Sequence, residues 1–380
     1  MIFLDHQSIT PPSKRSLARL TSLLERWGHW TLPHRFCQDQ LAEVQRCYDA
    51  FYQFLGAAPE DQIIATSSGA EAINQVVRGI AQLGRSTGKN EIITTEGEEA
   101  PITLACQRLA QGDQIRVRTL PLRHGAIDPK EFAEALTPRT LLATLSWANG
   151  ITGVMQPIDA LSKLCEERGV LLHVDASQVA GVMPLELQRR RIDCLTLDGS
   201  LLHAPAGTGL LYLRRPIRLA PLIEGNQEQN GLRGGPMPLF LLGALAEACL
   251  EAQEQRDGAA LEMGRLRHKL ETHLCAALPE ARICFEAAER LPHISAMIFP
   301  YVNSDALVYT LGQRGMAACL GGNNLRHISS LLQSCDIPAH EAWCGVSFGL
   351  GRSTQQPQID LAAGHIIEAV TQLRQIAERL

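Results

Sequence analysis

The chain has 380 residues, 45% of them hydrophobic and 20% charged, with a net charge of −5 and a pI near 6.2. That length allows one large or two smaller domains around a sizeable core. The acidic balance argues against a general nucleic-acid binder, because no basic excess is present to neutralise phosphates.

The opening MIFLDHQSITPP has no basic stretch leading into a long apolar one, and no run approaches the ~18 apolar residues of a membrane span. A cytoplasmic chain with no membrane partner is expected. Eleven scattered cysteines, never spaced as CxxC, suit reduced thiols better than a disulfide framework. Cys335, His340 and Cys344 come nearest to a metal cluster, but without a fourth ligand the grouping reads as incidental and no metal is expected.

In chain order, residues 1–12 form an extended lead. Ser13 to Gly28 reads as a helix, with Leu17, Leu20, Leu23 and Leu24 on one face. A second helix is predicted over Gln40 to Leu55, then a strand at Ile63 to Ala65 and a helix from Ala70 to Leu83. Strands at Glu91–Thr95, Gln114–Leu120 and Leu141–Ser146 alternate with helices at Pro101–Leu109, Pro129–Leu136 and Ile158–Arg168. Apolar runs at Val170–Val174, Cys194–Leu197 and Gly209–Leu213 follow as strands, the first two ending at Asp175 and Asp198. Strands alternating with helices imply a mostly parallel, doubly wound sheet. Beyond Arg215 the pattern changes. An irregular loop over Ile223 to Pro238 leads into a helix from Leu239 to about Leu278. A smaller α+β unit follows, with strands at Ile294–Phe299 and Gly345–Gly349 and helices at Ser304–Gln313, His327–Ser334 and Asp360–Leu380.

Acidic and small residues at the ends of apolar strands are where open α/β sheets hold ligands. Thr66-Ser67-Ser68-Gly69-Ala70, between a strand and a helix N-terminus, presents backbone N–H groups suited to a phosphate. The same turn also reads as an ordinary cap, with Ser67 or Ser68 as N-cap. Asp175, after a buried strand, suits a protonated pyridine nitrogen or a sheet-end turn equally well. Cys319 stands beside Gly321-Gly322-Asn323-Asn324, which predicts an exposed, mobile loop and a thiol able to act as a nucleophile. A small buried hydrophobe is the plainer alternative for it. Arg352, in FGLGRST, can bind a carboxylate or join a surface ion pair.

Together these segments resemble the cysteine desulfurases, class V aminotransferases among the fold-type-I pyridoxal-phosphate transferases. LDHQSITPP, ATSSGAEAINQVVRG, ANGITGVMQPI, LLHVDASQVAG, GLRGGP and FGLGRST follow the family's motifs in order along almost the whole chain. The resemblance implies a large domain (13–253) with a mostly parallel seven-stranded sheet and a small α+β domain (1–12 and 254–380). It implies the conversion of L-cysteine to alanine with sulfur left as a cysteine persulfide, a step in sulfur transfer and iron–sulfur cluster supply. Ser67, Ser68 and Gly69 would hold the cofactor phosphate, Asp175 the pyridine nitrogen and Gln178 the phenolic oxygen. Asn149 would lie beside the ring, Cys319 would carry the persulfide, Arg352 would hold the substrate carboxylate, and His173 would pack. A homodimer, or a heteromer with a sulfur-transfer protein, is implied, with L-cysteine as ligand.

The departures fall in the chemistry. The Schiff-base lysine aligns with Leu201, and none of the chain's five lysines lies in a motif that replaces it. The ring-stacking histidine aligns with Glu99. Asp198, Ser200 and Pro236 replace other family residues, Pro236 standing at a threonine that reaches across the dimer. A carboxylate at Asp198 ~4 Å from one phosphate charge would cost roughly 1 kcal/mol in water and about 4 at an effective dielectric of 20. The expectation is a catalytically degenerate, regulatory or sulfur-relay protein. The alternative is a modified desulfurase or aminotransferase with non-covalently held pyridoxal phosphate.

Overall fold

The computed structural model describes the chain except residues 27–31, 33–34, 85–86, 113–114, 323–325 and 379–380, and except the side chain of Phe36. The chain enters through β1 (Ile2–Phe3), then α1 (Lys14–Leu23) and α2 (Arg35–Leu55). β2 (Gln62–Thr66), α3 (Gly69–Gly84), β3 (Glu91–Thr95), α4 (Ala100–Gly112), β4 (Arg116–Leu120), α5 (Pro129–Ala135), β5 (Thr140–Ser146) and α6 (Ile158–Arg168) alternate next. β6 (Leu171–Asp175), β7 (Cys194–Asp198) and β8 (Gly209–Leu213) complete the large sheet. Among the described residues it has seven strands in the order β2-β8-β7-β6-β5-β3-β4, parallel except where β8 pairs with β2 and β7.

Both faces of this sheet are covered, which is why its central strands read as unbroken apolar runs. All seven residues of β5 are buried. Ala72, Ile73, Val76, Val77 and Ile80 of α3 recur at helical spacing and pack on one face against Ile64, Ile92, Leu142 and Leu211. Phe51 and Leu55 of α2, Phe132 of α5 and Leu161 of α6 cover the other, against Ala143, Leu145, Leu172, Val174 and Tyr212.

The 39-residue α7 (Leu239–Ala277) ties the two cores together. Leu242, Leu245 and Cys249 from its first half join the sheet's core. Met263, Leu266, Leu270 and Leu274 join a second one with Ile2, Leu4, Phe299 and Phe348. The second core draws on β9 (Arg282–Ile283), β10 (Ile294–Ile298), α8 (Ser304–Gln313), β11 (Met316–Ala317), β12 (Gly345–Gly349) and α11 (Gln356–Ala377), while α9 (Ile328–Ser334) and α10 (Ala339–Ala342) pack in a smaller cluster with Ala296, Ile298 and Cys319. β10 pairs antiparallel with β9 and β12, while β1 pairs in parallel with β11. The chain's first residues thereby return to the C-terminal part. Among the described residues no helix is long and apolar enough to cross a membrane.

Several expectations need correction. α2 starts at Arg35, five residues before Gln40, its first turns mixing the buried Cys37 with the polar Arg35, Gln38 and Asp39. The two-residue strands β1, β9 and β11 are too short for alternation to reveal. α1 does not bury the expected leucine face: Leu23 and Ser16 are buried, whereas Leu17 and Leu24 are exposed. The helix packs closely along α7, where Gly243 leaves room for Leu23. Gly28, Gln114, Asn323, Asn324 and Leu380, at the ends of predicted segments, lie outside the described residues.

Candidate functional site

The C-terminal ends of β5, β6 and β7 meet the N-terminus of α3 in one cleft. Parallel register sets Ser146 beside Asp175, and Asp175 beside Thr196. Asp175 Oδ1 accepts from Ser177 Oγ at 2.7 Å, Ser177 N at 3.2 Å and Thr196 Oγ1 at 3.1 Å. Thr196 thus spends its proton on Asp175 and must accept from His173 Nε2, 3.1 Å away. His173 Nδ1 then accepts from Thr144 Oγ1 at 2.7 Å. Full burial lowers this imidazole to about 3, so it stays neutral and positions Thr196.

The turn after β2 leads straight into α3. Thr66 Oγ1 donates to the Ser68 carbonyl at 3.0 Å, and Ser68 Oγ accepts from Glu71 N at 3.1 Å. Ser68, not Ser67, is the cap. Glu71 folds back on the turn: its Oε2 accepts from Ser67 N at 2.8 Å and Ser67 Oγ at 2.5 Å, and its Oε1 from Arg233 Nε at 3.1 Å. Gly69 N donates at 2.9 Å to Asp198 Oδ2. Asp198 Oδ1 accepts from Ser200 N at 2.9 Å and Ser200 Oγ at 2.6 Å, capping the short turn Gly199–Leu201. A side chain at Gly69 would press its Cβ to 2.9 Å from that of Asp198. Gly209 has the same necessity, since a Cβ there would meet the Ser68 carbonyl carbon at 2.5 Å. The helix N-terminus, where an anion is favoured, is therefore served by the chain's own carboxylates.

Glu99 reaches the cleft from the start of α4, 7% exposed and interacting with the Gln178 side chain. Burial, and next the charge of Asp175, push its carboxyl well above the ordinary range. Burial likewise lifts Asp175 to about 6 and the adjacent Glu98 to about 7. Glu98 Oε2 accepts from Ser146 N and Oγ, and Oε1 from Thr95 Oγ1. Glu99, Asp175, Asp198, Ser200, Gln178 and Leu201 all border one cavity of about 40 Å³. Ser177, Gln178 and Leu201 also border a second of the same size, lined by Arg352, His6, His203 and His293.

Not every expected residue joins them. Asn149 donates to the Gly97 carbonyl and accepts from Ile151 N and Thr152 N, holding its own turn, and borders neither cavity. Pro236 is exposed and borders neither. Cys319 is the main correction to the exposed-loop expectation, being only 2% exposed. Its backbone bridges to Ser347 in both directions, and its sulfur lies 3.5 Å from Ser8 Oγ and 3.3 Å from Gly321 N. Burial, then Asp5, raise the thiol to about 12, so the thiolate is scarce at neutral pH. Through Ser8 and Gly322, which line the acidic cavity, its loop still abuts the cleft. His6, Gln7, Glu71, His203, Arg233 and His293 went unnoticed in the sequence. The pairs they form span up to hundreds of positions and leave no local pattern. Among the described residues no group of three His, Cys, Asp or Glu is placed to hold a metal ion.

The family model for class V aminotransferases matches residues 2–360. A cysteine desulfurase of Trichormus azollae is 31% identical, the alignment covering 99% of this chain and 94% of that protein. The chain belongs to the cysteine desulfurase family of class V aminotransferases. NifS, the cysteine desulfurase of Azotobacter vinelandii, is 29% identical over 99% of this chain and 94% of its own. The solved structure of a NifS-like protein superposes with a TM-score of 0.90 over 97% of this chain and 99% of that one, at 23% identity. That similarity accounts for the seven-stranded sheet. Pyridoxal phosphate is the cofactor of this family.

Proposed function

We propose that this desulfurase-family chain is a non-catalytic member, a regulatory or sulfur-transfer partner whose cleft does not take pyridoxal phosphate. The observation that carries the reading is the filled N-terminus of α3. Gly69 N is taken by Asp198, and Ser67 N and Oγ are taken by Glu71. A phosphate dianion would have to displace one carboxylate and approach another. The cavity bordered by Asp175 and Gln178 measures about 40 Å³, whereas ligand pockets run to about 300–1,000 Å³. Leu201, at the family's lysine position, offers no amine. The residues present do not fit the cofactor. The chain would be cytoplasmic, with residues 13–253 and 1–12 plus 254–380 as its two domains. It would form a homodimer or pair with a sulfur-transfer protein.

The test is to add pyridoxal phosphate to the purified chain, look for an aldimine absorption band, trap with borohydride and map the peptides. No cofactor-modified peptide is expected; a stoichiometric adduct would overturn the reading. The retention of Asp175, Gln178 and Arg352 around one cleft favours a second reading, a modified desulfurase holding the cofactor without a covalent bond. Alanine released from L-cysteine, and abolished by Cys319→Ala, would select it.

A further inference from the structure

The seven-stranded sheet ends at β2, which pairs with β8 and with no other strand among the described residues. An antiparallel neighbour takes the backbone N–H and C=O of every second residue, and those of the alternate residues point away from it. Gln229 shows which residues these are. Its side-chain amide lies against Ala65, Oε1 accepting from Ala65 N at 2.7 Å and Nε2 donating to the Ala65 carbonyl at 3.0 Å. Ile63, two residues earlier, faces the same outer edge, and so does Asp61 before it. At Asp61 both groups are used: its N–H donates to the Ala58 carbonyl, and its own carbonyl accepts from Tyr52 Oη at 2.7 Å. At Ile63 neither group has a partner among the described residues. One rung of the sheet edge is open between two that are filled.

The open rung borders a groove of about 730 Å³ between α2 and residues 227–232. Small organic ligands occupy pockets of about 300–1,000 Å³. Asp49, Asp61 and Glu228 border this groove, and no basic side chain does. The Asp61 carboxylate already accepts from Ala58 N, Tyr212 Oη and Arg215 N. Asp49 is exposed, accepts from Gln45 Nε2 at 2.9 Å and pairs with no cation among the described residues.

The filled rungs decide the shape of a ligand. A peptide strand added along this edge would meet Gln229 at Ala65 and Tyr52 at Asp61, so extended pairing is blocked. A group that needs a single rung is not blocked. Gln229 demonstrates that a primary carboxamide is such a group, because one of its N–H bonds and its C=O point the same way. Gln229 and Asn230 adopt φ of 47° and 59°, a backbone region that side chains rarely enter and that the surroundings must enforce, so the Ala65 contact is a built one.

We propose that the groove beside β2 binds a small cationic primary carboxamide, its amide on the N–H and C=O of Ile63 and its positive charge toward Asp49. The ligand repeats at Ile63 the contact that Gln229 makes at Ala65. The groove shares no lining residue with either cavity of the cleft, so the inference does not depend on whether the cleft takes pyridoxal phosphate.

The test titrates the full-length chain with 4-guanidinobutanamide, with the same compound methylated on its amide nitrogen, and with uncharged butanamide. Calorimetry reads binding, and hydrogen exchange of the isoleucine and alanine amides reads the rung. 4-Guanidinobutanamide is expected to bind saturably and to slow exchange at Ile63 N by at least about tenfold, while Ala65 N, already held by Gln229, stays slow throughout. The methylated amide is trans, its N–H and C=O point in opposite directions, and it should bind at least about tenfold more weakly. Butanamide should bind about two- to fivefold more weakly than the cationic probe, a gap that closes in Asp49→Asn. A methylated probe that binds as tightly as its parent, binding that leaves Ile63 N unprotected, or silence to all three probes overturns the inference. The wild-type series needs no variant, so the outcome stands even where Asp49→Asn fails to fold.

Discussion

Asp198→Ala should separate a structural anion from an incidental one. Its carboxylate accepts from Gly69 N at 2.9 Å at the start of a 16-residue helix, and from Ser200 N and Oγ at 2.9 and 2.6 Å in the next turn. A hydrogen bond to a charged group contributes about 1.5–3 kcal/mol when buried, and the helix dipole adds about 0.3–1. Asp198 is partly exposed and Ser200 can turn to water, so these values shrink toward a net loss of about 2–4 kcal/mol. Urea unfolding should show that loss, with little change in the slope of free energy against denaturant. Inorganic phosphate provides the decisive arm. In the variant it can occupy the vacated N-terminus of α3, restoring about 2.7 kcal/mol at a hundred times its dissociation constant, while the wild type should not respond. A variant within about 0.5 kcal/mol of wild type, or a wild type stabilised equally by phosphate, would refute the idea that Asp198 substitutes for a bound anion.

Leu201→Lys alone should not capture pyridoxal phosphate, whereas Leu201→Lys with Asp198→Ser should gain a borohydride-trappable adduct; borohydride trapping and peptide mapping of both variants decide. At pH 8 a brief pulse of iodoacetamide should modify Cys275, which is partly exposed, well before Cys319, whose thiol is raised to about 12; rapid labelling of Cys319 would contradict its burial. Glu98, lifted to about 7 from 4.5, and Asp175, lifted to about 6 from 3.8, bind protons in the folded state that the unfolded chain lacks, so their ionisation destabilises as pH rises through those windows. The buried His173, His293, His6 and His203, lowered to about 3–4, act in the opposite sense below about 6.5. Glu98→Gln isolates the first effect: its stability relative to wild type should rise by up to about 1.4 kcal/mol per pH unit between about 4.5 and 7, then level off, and parallel curves would rule it out.

The parallel sheet was readable because its central strands are buried on both faces and their apolar runs need no alternation. Strands such as Glu91–Thr95 and Gly209–Leu213 stand where the pattern places them. The site was readable only in part. A hydroxyl-rich turn before a helix announces a cap, but whether Ser67 or Ser68 provides it depends on Glu71 folding back, a choice made by the side-chain geometry of the turn. Two glycines after Cys319 suggest exposure; burial comes instead from Ser347 and Ser8, 28 residues later and 311 earlier. Asp198 read as a repulsive charge beside a phosphate. In three dimensions it is an acceptor for Gly69, a pairing across 129 residues that no local rule contains.

That pairing is the observation on which the proposed loss of cofactor binding rests. A helix N-terminus packed against a sheet carries amides and a positive end that need an acceptor whether or not a ligand is present. If the lysine position loses its amine, a cofactor held only by non-covalent contacts can leave, and the turn must then find an anion within the chain. Asp198 and Glu71 meet that need. The solution concentrates carboxyl groups, however: on top of burial, Asp175, Glu98 and Asp198 raise the proton affinity of Glu99, Asp175 that of Glu98 and Asp198 that of Asp175. The stress falls hardest on Glu99, which has one oxygen without a donor.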